Sequence, residues 1–193
     1  METHEKMNLY LVGYMGVGKT TVGKLLAQKL NVPFIDVDEF IENRYHKTIT
    51  TLFEEKGEAG FREIEHRAIQ EISSFEDVVV STGGGLPCFF DTMELLNRTG
   101  ITIYLKSNVN ELVGRLAMDM QKRPLIKKKT AEELRDFVET NLAKREPFYN
   151  QAQVIFDVFP CPTKKEINQE VEELLIRIKN KTSNENNEFC CFL

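Results

Sequence analysis

Eight consecutive residues, Gly13-Tyr14-Met15-Gly16-Val17-Gly18-Lys19-Thr20, carry the most explicit chemistry in the chain. They satisfy the pattern G-x-x-x-x-G-K-[ST] and lie between an apolar run and a helical pattern, the context this motif requires. Gly13, Gly16 and Gly18 let the loop curl so that backbone N–H groups face inward, and the helix start adds partial positive charge. Such a cradle, with Val17 and Thr21 beside it, suits phosphate oxygens. Lys19 would reach the β- and γ-phosphates, and the Thr20 hydroxyl could ligate Mg²⁺. The motif predicts a nucleoside triphosphate and leaves open what the phosphate is used for.

Two acids follow, in Pro33-Phe34-Ile35-Asp36-Val37-Asp38. On an extended segment residues two apart point the same way, so Asp36 and Asp38 are expected to project together from a strand's C-terminal end. Open α/β sheets bind ligands at that edge. One carboxylate there could support Mg²⁺ through water while its neighbour takes a proton from an acceptor hydroxyl. The plainer reading is a pair of helix-start acids favoured by the dipole. A switch or motor of the same loop class usually ends a long apolar strand in a metal-binding Asp. Here the run Val78-Val79-Val80 passes into Ser81-Thr82, and no Asn-Lys-x-Asp guanine signature occurs anywhere. Both absences favour a kinase.

Cations and glycines supply the acceptor side. Arg62 and Glu65 stand three apart on a predicted helix and share a face. Either they form a surface ion pair, or Glu65 orients a guanidinium toward a substrate carboxylate that its planar fork matches. Arg145 is a second anion-binding candidate, with Tyr149 close behind it. Gly83-Gly84-Gly85 closes an apolar run. Three glycines in a row contribute no packing, so something must approach that backbone too closely for side chains. On this reading Gly84→Ala should impair acceptor use while ATP still binds.

These residues need a frame. Apolar runs at 7–12, 33–37, 77–81, 101–105 and 153–158 read as strands. Helical patterns fall at 18–30, 38–46, 58–74, 90–98, 108–118, 131–144 and 164–180. Strands separated by helices of this length predict an α/β fold with a parallel sheet and helices on both faces. Residues 1–180 read as one domain, 119–130 as a basic, mobile loop, and 181–193 as an unstructured tail. The tail ends Cys190-Cys191-Phe192-Leu193, which formally matches a prenylation box but lacks a basic cluster.

Bulk composition agrees. With 193 residues, 41% of them hydrophobic, a net charge of −5 argues against a general nucleic-acid binder. No apolar run is long enough for a membrane helix, and the N-terminus lacks a signal-peptide pattern. Four cysteines without a CxxC pair, and three scattered histidines, make a Cys/His metal cage unexpected and fit a reducing cytoplasm.

In order and approximate spacing, GYMGVGKTT, FIDVDEFIE, GFREIEHRAI, VVSTGGGLP, KRPLI and REPFY resemble the shikimate kinases over about residues 7–175. The resemblance implies a three-layer P-loop fold whose five-stranded parallel sheet has order 2-3-1-4-5, with a mobile lid at about 118–130. It implies ATP- and Mg²⁺-dependent phosphorylation of the shikimate 3-hydroxyl by a cytoplasmic, monomeric enzyme. Asp38 would then bind shikimate hydroxyls and act as base or positioner, and Asp36 would support the Mg²⁺ shell. Arg62 and Arg145 would grip the carboxylate, with Glu65 steadying Arg62. The Gly83–Gly85 backbone would hydrogen-bond a ring hydroxyl near the γ-phosphate. Arg123 would be the lid arginine that stabilises charge during transfer, and Arg115 and Pro162 would flank the adenine. The family's pattern is exceeded by Lys127-Lys128-Lys129, expected to be solvated, and is matched only loosely around Pro162. Competing expectations are a gluconate-type kinase of the same fold and a nucleotide-dependent binding protein without phosphoryl transfer.

Overall fold

The apolar runs pair as five parallel strands: β1 (Asn8–Val12), β2 (Phe34–Asp36), β3 (Val79–Ser81), β4 (Gly100–Lys106) and β5 (Val154–Asp157). A computed structural model describes residues 7–118, 120, 126–160 and 163–185. The sheet order is β2-β3-β1-β4-β5, with Leu11 level with Ser81 on one side and Ile103 on the other. β1 is central and buried at every residue, because a parallel sheet covered on both faces has no wet side. Among the described residues seven α-helices cover it: α1 (Lys19–Leu30), α2 (Val37–Tyr45), α3 (Ile49–Ile72), α4 (Thr92–Thr99), α5 (Val109–Met118), α6 (Ala131–Tyr149) and α7 (Lys164–Glu185). Leu11, Leu26, Ile69, Leu96, Val138 and Leu174 are all shut off from solvent in the core. Among the described residues no helix is long and apolar enough to cross a membrane.

Three helix boundaries differ from expectation, each for a physical reason. The helix expected from 58 begins at Ile49, capped by Thr48, and runs through a non-helical Gly57 (φ 67°, ψ 178°). A threonine-rich start and an internal glycine weaken the local helical signal there. The helix expected to end at 144 continues to Tyr149 although Pro147 lies within it. Proline removes one backbone donor, but complete burial of Tyr149 against Tyr104 holds the last turn. The last helix extends to Glu185, past the residue at which an unstructured tail was expected to begin; residues 186–193, including the Cys-Cys-Phe-Leu end, lie outside the described residues.

Only part of the expected lid at 118–130 is described. Ile126 is completely buried there, and Thr130 and Glu133 form a reciprocal capping box that starts α6. Lys127 and Lys128 are exposed, as expected for solvated lysines, whereas Lys129 sits over the Phe137 ring at 4.9 Å.

Candidate active site

The phosphate-type loop joins β1, the central strand, to α1. Its three glycines hold φ values of 141° at Gly13, 81° at Gly16 and 109° at Gly18, a region that favours glycine. Lys19, only 8% exposed, donates from Nζ to the carbonyls of Gly13 (2.8 Å) and Tyr14 (3.0 Å). The loop's own oxygens thus hold the ammonium over it. Thr20, at the top of α1, donates from Oγ1 to Asp36 Oδ2 at 2.9 Å. A hydroxyl and a carboxylate brought together in this way are the hard oxygen donors that suit Mg²⁺.

The acidic pair reaches the same place by a different geometry from that expected. Asp36 ends β2 and caps α2, accepting from the Asp38 N–H at 3.1 Å, whereas Asp38 already lies in the first helical turn. The strand stops one residue earlier than the alternation argument needs, because the Asp36 side chain satisfies the start of α2. Both acids are therefore helix-start residues, and both line one cavity of about 400 Å³. Met15, Gly16, Gly18, Lys19, Thr20, Thr21, Gly83, Gly84 and Arg115 line it too, so the loop, the acids and the triple glycine meet. Burial pushes the Asp38 carboxyl up to about 6, reinforced by the charge of Asp36 and opposed by Lys19.

At the triple glycine, the close approach comes from the protein itself. A Cβ on Gly83 would stand 3.0 Å from Glu65 Oε1 and 3.1 Å from Asp38 Oδ1. On Gly84 it would meet the Met15 backbone nitrogen at 3.2 Å, and on Gly85 the Arg62 guanidinium at 2.7 Å. Just before them, Thr82 locks the chain to β1 by donating its N–H (3.1 Å) and its hydroxyl (3.0 Å) to the Leu11 carbonyl. Among the described residues the N–H groups of Gly83, Gly84 and Gly85 have no intramolecular acceptor. Gly83 and Gly84 line the cavity, whereas Gly85 is buried with its Cα against the Arg62 guanidinium.

Arg62 is built in from several sides. Nη1 donates to Glu65 Oε2 at 2.5 Å and Nη2 to Glu58 Oε1 at 3.3 Å, while the guanidinium lies 4.3 Å from the centre of the Phe89 ring. The expected i,i+3 pair exists and is buried: Glu65 is 3% exposed, and burial raises its carboxyl to about 7 against the opposing charge of Arg62. Arg62 Nε is buried without a hydrogen-bond partner. An orphaned donor of this kind calls for an acceptor from outside the chain. Arg145 lies over the Tyr14 ring at 5.6 Å.

Arg115 bridges two carbonyls, donating from Nη1 to Val17 and from Nη2 to Phe159, both at 2.6 Å. It borders the first cavity and a second of about 440 Å³, which Val17, Thr21, Met118, Ile167 and Glu170 also line. Glu170, 3% exposed, accepts the Phe159 N–H and so fixes the turn that Arg115 grips. Sequence reasoning missed Glu170, because one acid among the many on α7 carries no local mark. It also missed Ser81 and Thr82, whose only signal was their place at the end of an apolar strand. Arg123 and Pro162, the expected lid arginine and adenine neighbour, lie outside the described residues. Cys88 is half-buried, and burial pushes its thiol up to about 11, consistent with packing rather than reactivity.

A phosphate-type loop on the central strand of a 2-3-1-4-5 parallel sheet, sharing one cavity with paired acids, defines the class of P-loop phosphotransferases. The family model for shikimate kinase matches residues 15–179. The shikimate kinase of Bacteroides thetaiotaomicron is 51% identical over 168 residues, 87% of this chain and 96% of that protein. The Parabacteroides distasonis shikimate kinase is 48% identical over 170 residues, 88% and 98% of the two chains. The crystal structure of shikimate kinase from B. thetaiotaomicron aligns with a TM-score of 0.87 at 49% identity, covering 90% of this chain and 99% of that one. The Acinetobacter baumannii shikimate kinase, solved in complex with shikimate, aligns at 0.79 with 33% identity over 94% and 96%. A gluconokinase from Sinorhizobium meliloti shares the fold alone, at 0.61 and 19% identity. The chain belongs to the shikimate kinase family.

Proposed function

We propose that this protein transfers the γ-phosphate of ATP to the 3-hydroxyl of shikimate, giving shikimate 3-phosphate for aromatic amino acid biosynthesis. The observation that carries this reading is Arg62: a guanidinium fixed by Glu65, with a buried and unpartnered Nε, beside three free glycine amides. That is a receptor for a small hydroxylated carboxylate.

The residues divide the work. The amides of the Gly13–Gly18 loop and Lys19 would bind the β- and γ-phosphates, with Thr21 at the loop's edge, and Val17 and Arg115 would border the nucleoside. Thr20 and Asp36 would hold Mg²⁺, which when bound neutralises phosphate charge. Arg62 and Arg145 would grip the acceptor carboxylate, and the Gly83–Gly85 amides would meet a ring hydroxyl. Asp38 would accept the proton of the attacking hydroxyl as the new O–P bond forms and ADP leaves. Phosphoryl transfer needs positioning and charge neutralisation more than covalent help, and every one of these groups supplies one or the other. Arg123 and Pro162 keep their expected roles at the lid and the adenine. Residues 1–180 form the kinase domain, its lid at about 118–130, and one chain acting as a monomer supplies the whole site.

A coupled assay with ATP and a panel of shikimate, gluconate and nucleoside monophosphates tests the proposal. ADP release that depends on shikimate is expected. Turnover on gluconate alone would transfer the protein to the gluconate-type kinases, and ATP turnover indifferent to every acceptor would overturn the kinase reading.

A further inference from the structure

One buried side chain at the acceptor end has no part in the roles above. Tyr149 closes α6, is wholly buried, and packs its ring on Tyr104 with centroids 5.2 Å apart. Its hydroxyl donates to the Gly84 carbonyl at 2.5 Å. A phenol has one proton to give, so with that proton committed to Gly84 only its lone pairs remain for other partners. The Arg145 guanidinium, one helical turn earlier, approaches the same hydroxyl, as does the Cys88 thiol. Arg145 has only donors to offer and Tyr149 has an acceptor free, so the two are complementary.

The consequence for the glycine loop follows from peptide geometry. No cis peptide bond occurs among the described residues, and across a trans peptide the carbonyl of one residue and the N–H of the next point opposite ways. Holding the Gly84 carbonyl against α6 therefore aims the Gly85 N–H away from α6. That N–H has no intramolecular acceptor among the described residues, and Gly85 itself faces the Arg62 guanidinium.

We infer that Tyr149 is a positioning residue for the acceptor, its hydroxyl fixing both the Gly84–Gly85 peptide plane and the Arg145 guanidinium. One side chain then sets the spacing between the amides that meet the ring hydroxyl and the arginine that meets the carboxylate. The inference deepens the proposed activity and rests on it.

The test is Tyr149→Phe, which keeps the ring and removes only the hydroxyl, with Tyr104→Phe as control on the same aromatic pair. Steady-state kinetics with shikimate and with ATP are measured for both variants, alongside Tm. Tyr149→Phe is expected to raise the shikimate KM about tenfold, the effect of one lost buried hydrogen bond, with the ATP KM within about twofold of wild type. Tyr104→Phe should leave both unchanged. Combining Tyr149→Phe with Arg145→Lys should raise the shikimate KM by less than the product of the single effects, because the two act through one contact. An unchanged shikimate KM in Tyr149→Phe, an equal rise in both KM values, or the same rise in Tyr104→Phe would each overturn the inference. If wild type ignores shikimate but phosphorylates another hydroxy acid of the panel, the proposed function fails, and the same comparison is made with that acceptor.

Discussion

Two glycine-rich segments line the active-site cavity and touch at Gly84 and Met15, and they are rich in glycine for different reasons. In the loop before α1 the reason is conformation. Gly18, for example, has φ 109°, and a Cβ there would meet nothing closer than the Arg115 guanidinium at 3.8 Å. In the loop after β3 the reason is room. None of Gly83, Gly84 and Gly85 has φ in the left-handed region, yet a Cβ on any of them would stand within 3.2 Å of a carboxylate, a backbone nitrogen or a guanidinium. Two stretches that look alike in sequence thus fail differently when substituted. The first would lose its shape, and the second would displace the groups proposed to hold the acceptor.

The largest expected effect lies between the two loops. Asp38→Asn keeps the side chain's shape and removes its ability to take a proton, so kcat should fall about 10²-fold or more with little change in the ATP KM. Turnover near wild type would remove Asp38 from the chemistry.

Next comes the acceptor side alone. Arg62→Ala should raise the shikimate KM about 10²-fold, the scale for truncating one partner of a buried charge pair, and spare the ATP KM. A fall in ATP affinity instead would move Arg62 to the nucleotide half.

The glycine contrast itself is tested by a pair of alanines. Gly18→Ala forces a side chain into left-handed backbone at about 1–2 kcal/mol and should raise the ATP KM roughly 5- to 30-fold. Gly85→Ala should raise the shikimate KM about tenfold instead, because only the end of the Arg62 side chain has to move. Gly84→Ala no longer separates the substrates as the sequence led one to expect. Its Cβ would press on the Met15 backbone, so ATP use should suffer along with acceptor use. Equal losses for both substrates in Gly18→Ala and Gly85→Ala would dissolve the distinction.

The last expected effect is on stability alone, a pH dependence to which Glu65 and Asp38 both contribute. Burial holds the Glu65 carboxyl at about 7 in the folded protein, against 4.5 ordinarily. Its raised value favours the folded state fully below about pH 4.5, and that contribution is lost as pH rises through about 7. The Tm of the ligand-free protein should therefore fall between about pH 5 and about pH 8. Glu65→Gln, neutral throughout, should reduce that slope to the share left by Asp38, and an unchanged slope would assign it elsewhere.

Most of this site was legible because local chemistry advertises itself. The Lys19 loop could be read from spacing alone, since every residue in it answers to one ligand. The Arg62–Glu65 pair was legible as a helical neighbour relation, but its burial was not, because that depends on Phe89 arriving from beyond β3. Asp36 and Asp38 were correctly brought to one cavity by an argument whose geometry was wrong: the cap at Asp36 ended the strand before alternation could act. Tyr149 and Glu170 draw their meaning from partners 65 and 11 residues away, Gly84 and Phe159, which no local pattern encodes. The same holds for the fold. Five strands and their parallel sense followed from apolar runs, while the first half of α3 and the last turn of α6 needed tertiary packing to exist.

Lys19 and Asp38 line one cavity with no partition between them. For inhibitor design this means that a phosphate mimic and a hydroxylated carboxylate can be joined by a very short linker. The phosphate half would supply affinity that any P-loop protein could offer. Selectivity would have to come from the other half, where the orphaned Nε of Arg62 offers a donor that such a compound could satisfy.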